Sequence, residues 1–216
     1  MRILIIANSP ERDAELVRRC AAEADRIVVA DGGVHRLPEG VIPHTVCGDF
    51  DSLEMAEARR LFPHSDFIHL PDQSSCDLEK AIEFSCSAGG TDIVIVSALG
   101  GRPDHSFGTY SVLCKYSQRV SLELRHERMT CRAFSAGAGG TQATSLAVRE
   151  NSTVSLLPYG EGAVVSLTGT VWELHKAPLP VGAAGVSNRA TGELLSLTVH
   201  AGTVLAFTEL PEWVQD

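Results

Sequence analysis

Apolar positions in the first half of the chain fall into short unbroken runs, and stretches of helical period lie between them. Ile3, Leu4, Ile5 and Ile6 form one run, Ile27, Val28 and Val29 another, and Ile93, Val94, Ile95 and Val96 the clearest of all. Runs this short, apolar on both faces, predict strands of a sheet covered on both sides. Residues 67–70 read as a further short strand. Residues 13–24 put Leu16, Val17 and Cys20 on one face of a helix. Residues 53–61 and 78–87 read as helices, the first stopped by Pro63 and the second closed by Gly89 and Gly90. Another helix is expected from Pro103. Strand and helix in alternation predict an α/β fold, a mainly parallel sheet flanked by helices, over residues 1–130.

The period then changes. The small residues from Ser135 to Thr141 read as a flexible connection, so residues 131–147 are expected to be a linker or loop. Beyond it the helical period disappears. Apolar runs at 153–157, 164–174, 194–199 and 204–207, separated by turn residues, predict a smaller antiparallel β sandwich or partial barrel over residues 148–216. No internal repeat is visible.

The candidate chemistry sits directly after the predicted strands. Four stretches do so: Asp31-Gly32-Gly33, Gly48-Asp49-Phe50-Asp51-Ser52, the segment from Pro71 to Asp77, and the segment from Gly100 to His105. In an open parallel sheet, ligands bind outside the carboxyl ends of the strands, so all four fall on one edge. That edge gathers Asp31, Asp49, Asp51, Asp72, Asp77 and Asp104, with Arg102 and Lys80 as the nearby cations. In an extended chain Asp49 and Asp51 point to the same side, and two carboxylates so placed repel each other unless a cation lies between them. Magnesium suits such a site, because it takes hard oxygen ligands and keeps substrate phosphates as partners.

Plainer readings exist for each part. Asp49 to Ser52 also fits a polar turn capping the following helix, and Asp77 a residue placed for the helix dipole with Lys80 as its partner one turn on. Gly100-Gly101 fits either a tight turn or a backbone cradle for phosphate. Trp172, inside the 164–174 run, fits a core aromatic on a strand. Neither a P-loop nor a dinucleotide-binding glycine motif is present. The histidines other than His105 lack metal-ligand spacing and read as surface or structural.

Composition narrows the classes. The formal net charge of -9 over 216 residues argues against a nucleic-acid partner, though not against a nucleotide. The six cysteines include no CxxC pair, which suits reduced thiols in the cytoplasm. The opening apolar run is too short for a signal peptide, and no run reaches the ~20 apolar residues of a membrane helix.

In this order and spacing the four stretches, with Leu78-Glu79-Lys80-Ala81 after the third, resemble the motif set of the thiamin pyrophosphokinase family. Leu167-Thr168-Gly169-Thr170-Val171-Trp172 and Gly185-Val186-Ser187-Asn188 resemble that family's thiamin-binding β domain. The resemblance covers nearly the whole chain. It implies transfer of a diphosphoryl group from ATP to the hydroxyl of thiamin, in a magnesium-dependent homodimer whose thiamin site lies at the subunit interface. It also implies Asp49, Asp51, Asp77 and Asp104 as holders of the metal and its phosphates. Arg102 and Lys80 would meet phosphate oxygens. Asp31, Gly32 and Gly33 would line the nucleotide pocket with Gly100, Gly101 and His105, and Trp172, Ser187 and Asn188 the thiamin pocket. Two departures stand out: Cys76 replaces the family's usual polar residue before Asp77, and the segment after Arg125 is unlike the family's interdomain hairpin. Two other readings remain. One is a diphosphokinase for another hydroxymethyl heterocycle such as a pterin, which has no need of the Trp172 and Ser187-Asn188 elements. The other is a nucleotide-binding protein without catalysis, which has no need of the aspartates.

Overall fold

The computed structural model describes residues 1–10, 13–51, 53–137 and 140–210. Ser52, read above as part of a motif and a cap, lies outside the described residues, as do Ala138 and Gly139 of the expected linker. The chain divides into two compact units, one of Met1–Val112 with Val120–Glu127 and one of Leu113–Arg119 with Arg128 onward.

The first unit runs β1 (Arg2–Ile6), α1 (Ala14–Glu23), β2 (Arg26–Ala30), β3 (Thr45–Gly48), α2 (Met55–Leu61), β4 (Asp66–His69), α3 (Asp77–Ser87), β5 (Asp92–Val96), the start of α4 (Pro103–Tyr116), and β6 (Ser121–His126). Its strands lie in the order β6-β5-β1-β2-β3-β4, and every adjacent pair is parallel. Chain order reverses between β5 and β1, so the crevice at that point is where a ligand is expected. The central strands carry the core: Ile3, Leu4, Ile5, Ile93, Ile95 and Val96 are all 0% exposed. Burying an aliphatic side chain of this size stabilises by about 1.5–3 kcal/mol. α1 buries the expected stripe of Leu16, Val17 and Cys20, and the Asp13 carboxylate caps it by accepting the Leu16 N–H at 2.9 Å. α2 starts at Met55, two residues later than the sequence pattern predicts.

The second unit differs most from expectation where a linker was expected. Residues 131–147 are largely strand, in β7 (Met129–Ser135) and β8 (Gln142–Ala147). The described small residues between Ser135 and Gln142, which are Ala136, Gly137, Gly140 and Thr141, lie outside both strands. They masked the strands because Thr130, Ser135, Ser145 and Gln142 give these runs a polar look. Several of these groups are satisfied across strands: Thr130 bonds Thr208, and Ser135 bonds both Ser117 and Thr203. β9 (Thr153–Pro158), β10 (Val164–Thr168), β11 (Leu174–Pro178), β12 (Asn188–Arg189), β13 (Leu194–Ala201) and β14 (Thr203–Glu209) complete the unit.

Antiparallel ladders run β12-β9-β14-β7 and β11-β10-β13-β8. The two sheets share one core, in which Val154, Leu156, Val204 and Phe134 meet Val165, Leu167, Leu195, Leu197 and Val199. Period-two burial in β13, with Leu195, Leu197 and Val199 inward, is what a sandwich requires. The run expected at 164–174 is two strands, broken at Gly169 to Glu173 by a loop that carries Trp172.

Candidate active site

The polar edge of the first unit is built on the ends of β2 and β3. Asp31 opens a 3-10 turn (Asp31–Arg36) after β2, and its side chain is almost fully buried at 2% exposure. It fits there because its neighbour across the edge is Gly48. A Cβ on Gly48 would lie 2.8 Å from the Asp31 Cβ, a separation that real side chains do not reach. β3 then delivers Asp49 and Asp51. Phe50 between them takes φ 62, a left-handed conformation that costs a bulky residue on the order of 1–3 kcal/mol. Its ring stacks on His69 at a centroid separation of 5.8 Å, which ties the loop to the end of β4.

The result is a triad. One carboxylate oxygen from each of Asp31, Asp49 and Asp51 lies within 4.8 Å of the others. Asp31, expected to line the nucleotide pocket, therefore joins the two aspartates expected to hold the metal. Among the described residues Asp77 and Asp104 are not part of that group.

Asp77 reaches the cluster through Lys80. The Lys80 ammonium donates to Asp49 at 3.0 Å and to Asp77 at 3.2 Å, and its side chain is only 4% exposed. Both residues stand on the first turn of α3, three apart, so one helix face aims them together. The Lys80 hydrogen bond, then the Asp51 N–H, holds Asp49 well below its ordinary 3.8, at about 2. Burial pushes Asp77 upward, and Lys80 opposes that shift. Desolvation works against the Lys80 charge, but the two carboxylates outweigh it and its pKa is raised.

Asp72 is spent locally, accepting from the Ser74 N–H and from the Ser74 and Ser75 hydroxyls. Gln73, not singled out in the sequence, donates to Asp49 at 3.0 Å. Only its position next to Asp72 hinted at it.

The second half of the edge follows β5. Gly100 and Gly101 turn the chain at φ 89 and 76 into α4. Arg102 grips Asp104 through two contacts, Nε at 3.1 Å and Nη2 at 2.6 Å, and this pair is largely exposed. Arg102 holds Asp104 at about 2. A cavity of about 500 Å³ opens here, at the point where chain order reverses. Asp77, Gly100, Gly101, Arg102 and His105 line it, as does Cys76. So do Asn8, Ser9 and Pro10 after β1, which the sequence reading missed because they carry no acid or base. Asn8 accepts a 2.7 Å hydrogen bond from Arg36, on the same 3-10 turn as Asp31, Gly32 and Gly33.

In the second unit, Trp172 is 64% exposed on the loop between β10 and β11, which removes the core-aromatic reading. It stands at a cavity of about 170 Å³, lined also by Leu156, Leu174, Leu179, Val186 and Asn188. Ser187 takes φ 63, with its N–H donated to the Ser155 hydroxyl at 3.0 Å. The described residues contain no helix long and apolar enough to cross a membrane.

Comparison with known proteins places this arrangement. Residues 17–124 match the thiamin pyrophosphokinase catalytic domain and residues 143–204 the thiamin pyrophosphokinase vitamin B1 binding domain. Thiamin pyrophosphokinase 1 of Caenorhabditis elegans is 25% identical over 182 residues, 80% of this chain and 72% of the relative. Thiamine pyrophosphokinase of Bacillus subtilis is 27% identical over 161 residues, 72% and 73% of the two chains. The fold is shared with the thiamin pyrophosphokinase of Geobacillus thermodenitrificans, at TM-score 0.82 and 24% identity with 100% of each chain covered. It is shared too with that of yeast, at TM-score 0.76 and 17% identity, covering 99% of this chain and 89% of that one. With the two domains of one enzyme matched in order along a single chain, the protein belongs to the thiamin pyrophosphokinase family and is an enzyme of that class.

Proposed function

We propose that the chain transfers the diphosphoryl group of ATP to the hydroxyl of thiamin, giving thiamin diphosphate and AMP, with magnesium held by Asp31, Asp49 and Asp51. The observation that carries the metal assignment is the convergence of those three carboxylates at the ends of parallel strands. The donor set fits the ion: the converging atoms are all carboxylate oxygens, the hard ligands magnesium prefers. When bound, the ion neutralises charge on the transferring phosphates.

The chain's own residues do the rest. Lys80 keeps Asp49 ionised and ties Asp77 to the same face, so the carboxylates stay charged and fixed before substrate arrives. Arg102 uses Nε and Nη2 on Asp104, which leaves its remaining edge for a phosphate oxygen. Gly100 and Gly101 let phosphate approach the backbone at the start of α4. Asn8, Gly32 and Gly33 border the nucleotide. In the transfer, the thiamin hydroxyl oxygen bonds to the β-phosphorus and gives up its proton to solvent as the bond to the AMP oxygen breaks, which requires the two oxygens in line.

The acceptor ring is read at Trp172, where a cationic heterocycle gains from an exposed indole face beside an apolar cavity. The working form is read as a homodimer with the thiamin site at the subunit interface. Supporting this, Val171, Trp172, Val181, Val186 and Leu194 of the second unit are all exposed apolar residues. A cytoplasmic location accords with six cysteines, none of which is paired in a disulfide.

The test is direct. Purified protein with ATP, magnesium and thiamin should form AMP and thiamin diphosphate in equal amounts by chromatography. Folded protein that forms neither product rejects the proposal.

A further inference from the structure

We infer that Asn188 is a positioning residue for Trp172 rather than a contact to the acceptor, an inference that rests on Trp172 facing thiamin as proposed above. The Asn188 side-chain amide bonds both backbone groups of a single residue, Trp172. Its Nδ2 donates to the Trp172 carbonyl at 2.8 Å, and its Oδ1 accepts the Trp172 N–H at 3.2 Å. That pairing copies a β-bridge with a side chain standing in for a backbone. The same Oδ1 also accepts the Arg189 N–H at 2.8 Å, so the amide oxygen is shared by two backbone donors. A second hold acts on the same carbonyl: the Thr170 hydroxyl donates to it at 3.0 Å, and Thr170 is only 3% exposed.

Trp172 needs such a hold because it stands outside the strands. It lies on a break between strands, most of its surface is exposed, and an indole on a free loop would lose rotational freedom on each binding event. A loop clamped before the ligand arrives has already lost that freedom. Backbone bonds on either side extend the clamp, from the Val171 N–H to the Arg189 carbonyl at 2.9 Å and in the bridge between Thr170 and Ala190. Sixteen residues apart in sequence, Trp172 and Asn188 are thus one device: the indole makes the contact and the amide fixes the backbone that carries it.

A double-mutant cycle on thiamin KM separates positioning from contact. Asn188→Ala should raise thiamin KM on the order of tenfold, as expected for the loss of its two hydrogen bonds to Trp172, with ATP KM unchanged. In a Trp172→Ala background the same change should have no further effect. A further tenfold rise in that background would mean that Asn188 touches the acceptor itself and would overturn the inference. Thr170→Val provides an independent arm, because a buried hydroxyl can act only through Trp172. It should raise thiamin KM about threefold, and no rise would also count against the clamp.

A spectroscopic measurement runs beside the kinetics in a Trp213→Phe background, where Trp172 is the only indole of the chain's two. Indole anisotropy should fall in Asn188→Ala without loss of the cooperative melt. Unchanged anisotropy rejects the clamp. Should Asn188→Ala fail to fold, Asn188→Ser and Thr170→Val carry the same two readouts. If Trp172→Ala leaves thiamin saturation untouched, the acceptor reading fails while anisotropy still decides whether Asn188 holds the indole.

Discussion

Lys80 shows how one residue can hold a site together. It is a nearly buried ammonium with carboxylates at 3.0 and 3.2 Å, one from the β3 loop and one from its own helix. Removing the cation leaves Asp49 and Asp77 facing each other without compensation. Lys80→Met should therefore lower turnover by about 10²–10³-fold and lower the melting temperature by several degrees, about what a loss of 1–2 kcal/mol gives in a chain this long. Turnover within threefold of wild type would remove Lys80 from the chemistry.

The cysteines give a second prediction at this scale. Burial pushes the Cys47 and Cys114 thiols up to about 12 and raises Cys20 and Cys131 as well. A thiol at about 12 is ionised at roughly one part in ten thousand at pH 8, and its reactivity rises only as pH climbs toward that value. Cys76 is exposed and lines the 500 Å³ cavity. Alkylation of native protein at pH 8 should thus label Cys76 before Cys20, Cys47 or Cys131, as peptide mass spectrometry would show. Labelling should inhibit by bulk, whereas Cys76→Ser should keep most activity. A folded but inactive serine variant would give the thiol a chemical role.

At the scale of elements, the site depends on β2 and β3 ending at matching heights. Ala30 pairs in register with Cys47, so Asp31 and Gly48 come next on adjacent strands and meet. Gly48→Ala forces Asp31 aside and so moves one carboxylate of three. The expected cost is about 1–3 kcal/mol of stability from overpacking. The larger effect should be on catalysis, a fall in turnover of about a hundredfold. Equal turnover in the alanine variant would show that Asp31 is not where the reaction needs it. The same sheet edge explains why four separate stretches read as one site: parallel strands deliver every following loop to the same end. β7 and β8 were missed for a related reason. In β7, Thr130 and Ser135 pair with Thr208 and Thr203, 78 and 68 residues away, and no local pattern shows such partners.

For the whole molecule, charge and assembly make the tests. A triad of carboxylates is self-repelling, so magnesium should raise the melting temperature by binding the folded state alone. Chelator should abolish turnover without unfolding the protein, and Asp51→Asn should lose both the shift and several orders of magnitude of turnover. A melting temperature indifferent to magnesium would exclude the triad as its site. The shared acceptor site is tested by refolding Trp172→Ala and Asp77→Asn chains together. About half of randomly paired dimers are hybrids with one intact site, so recovery should approach about a quarter of wild-type activity. No recovery, with hybrids shown to be present, rejects a pocket shared between subunits.

Much of this was written in the linear chain. Unbroken apolar runs made the parallel sheet legible, because a strand buried on both faces has no polar side to show. The aspartates were legible too, since β-strand ends in such a sheet face one way. What only the tertiary structure decided was which groups meet. Asp31 joins Asp49 and Asp51 because Gly48 leaves room for it, Asp104 turns to Arg102, and Trp172 leaves the core for a loop clamped by Asn188. Local sequence determines periodicity and turn chemistry over a few residues. Distances between groups 16 to 31 positions apart follow from register and packing, and these exist only once the sheet is assembled.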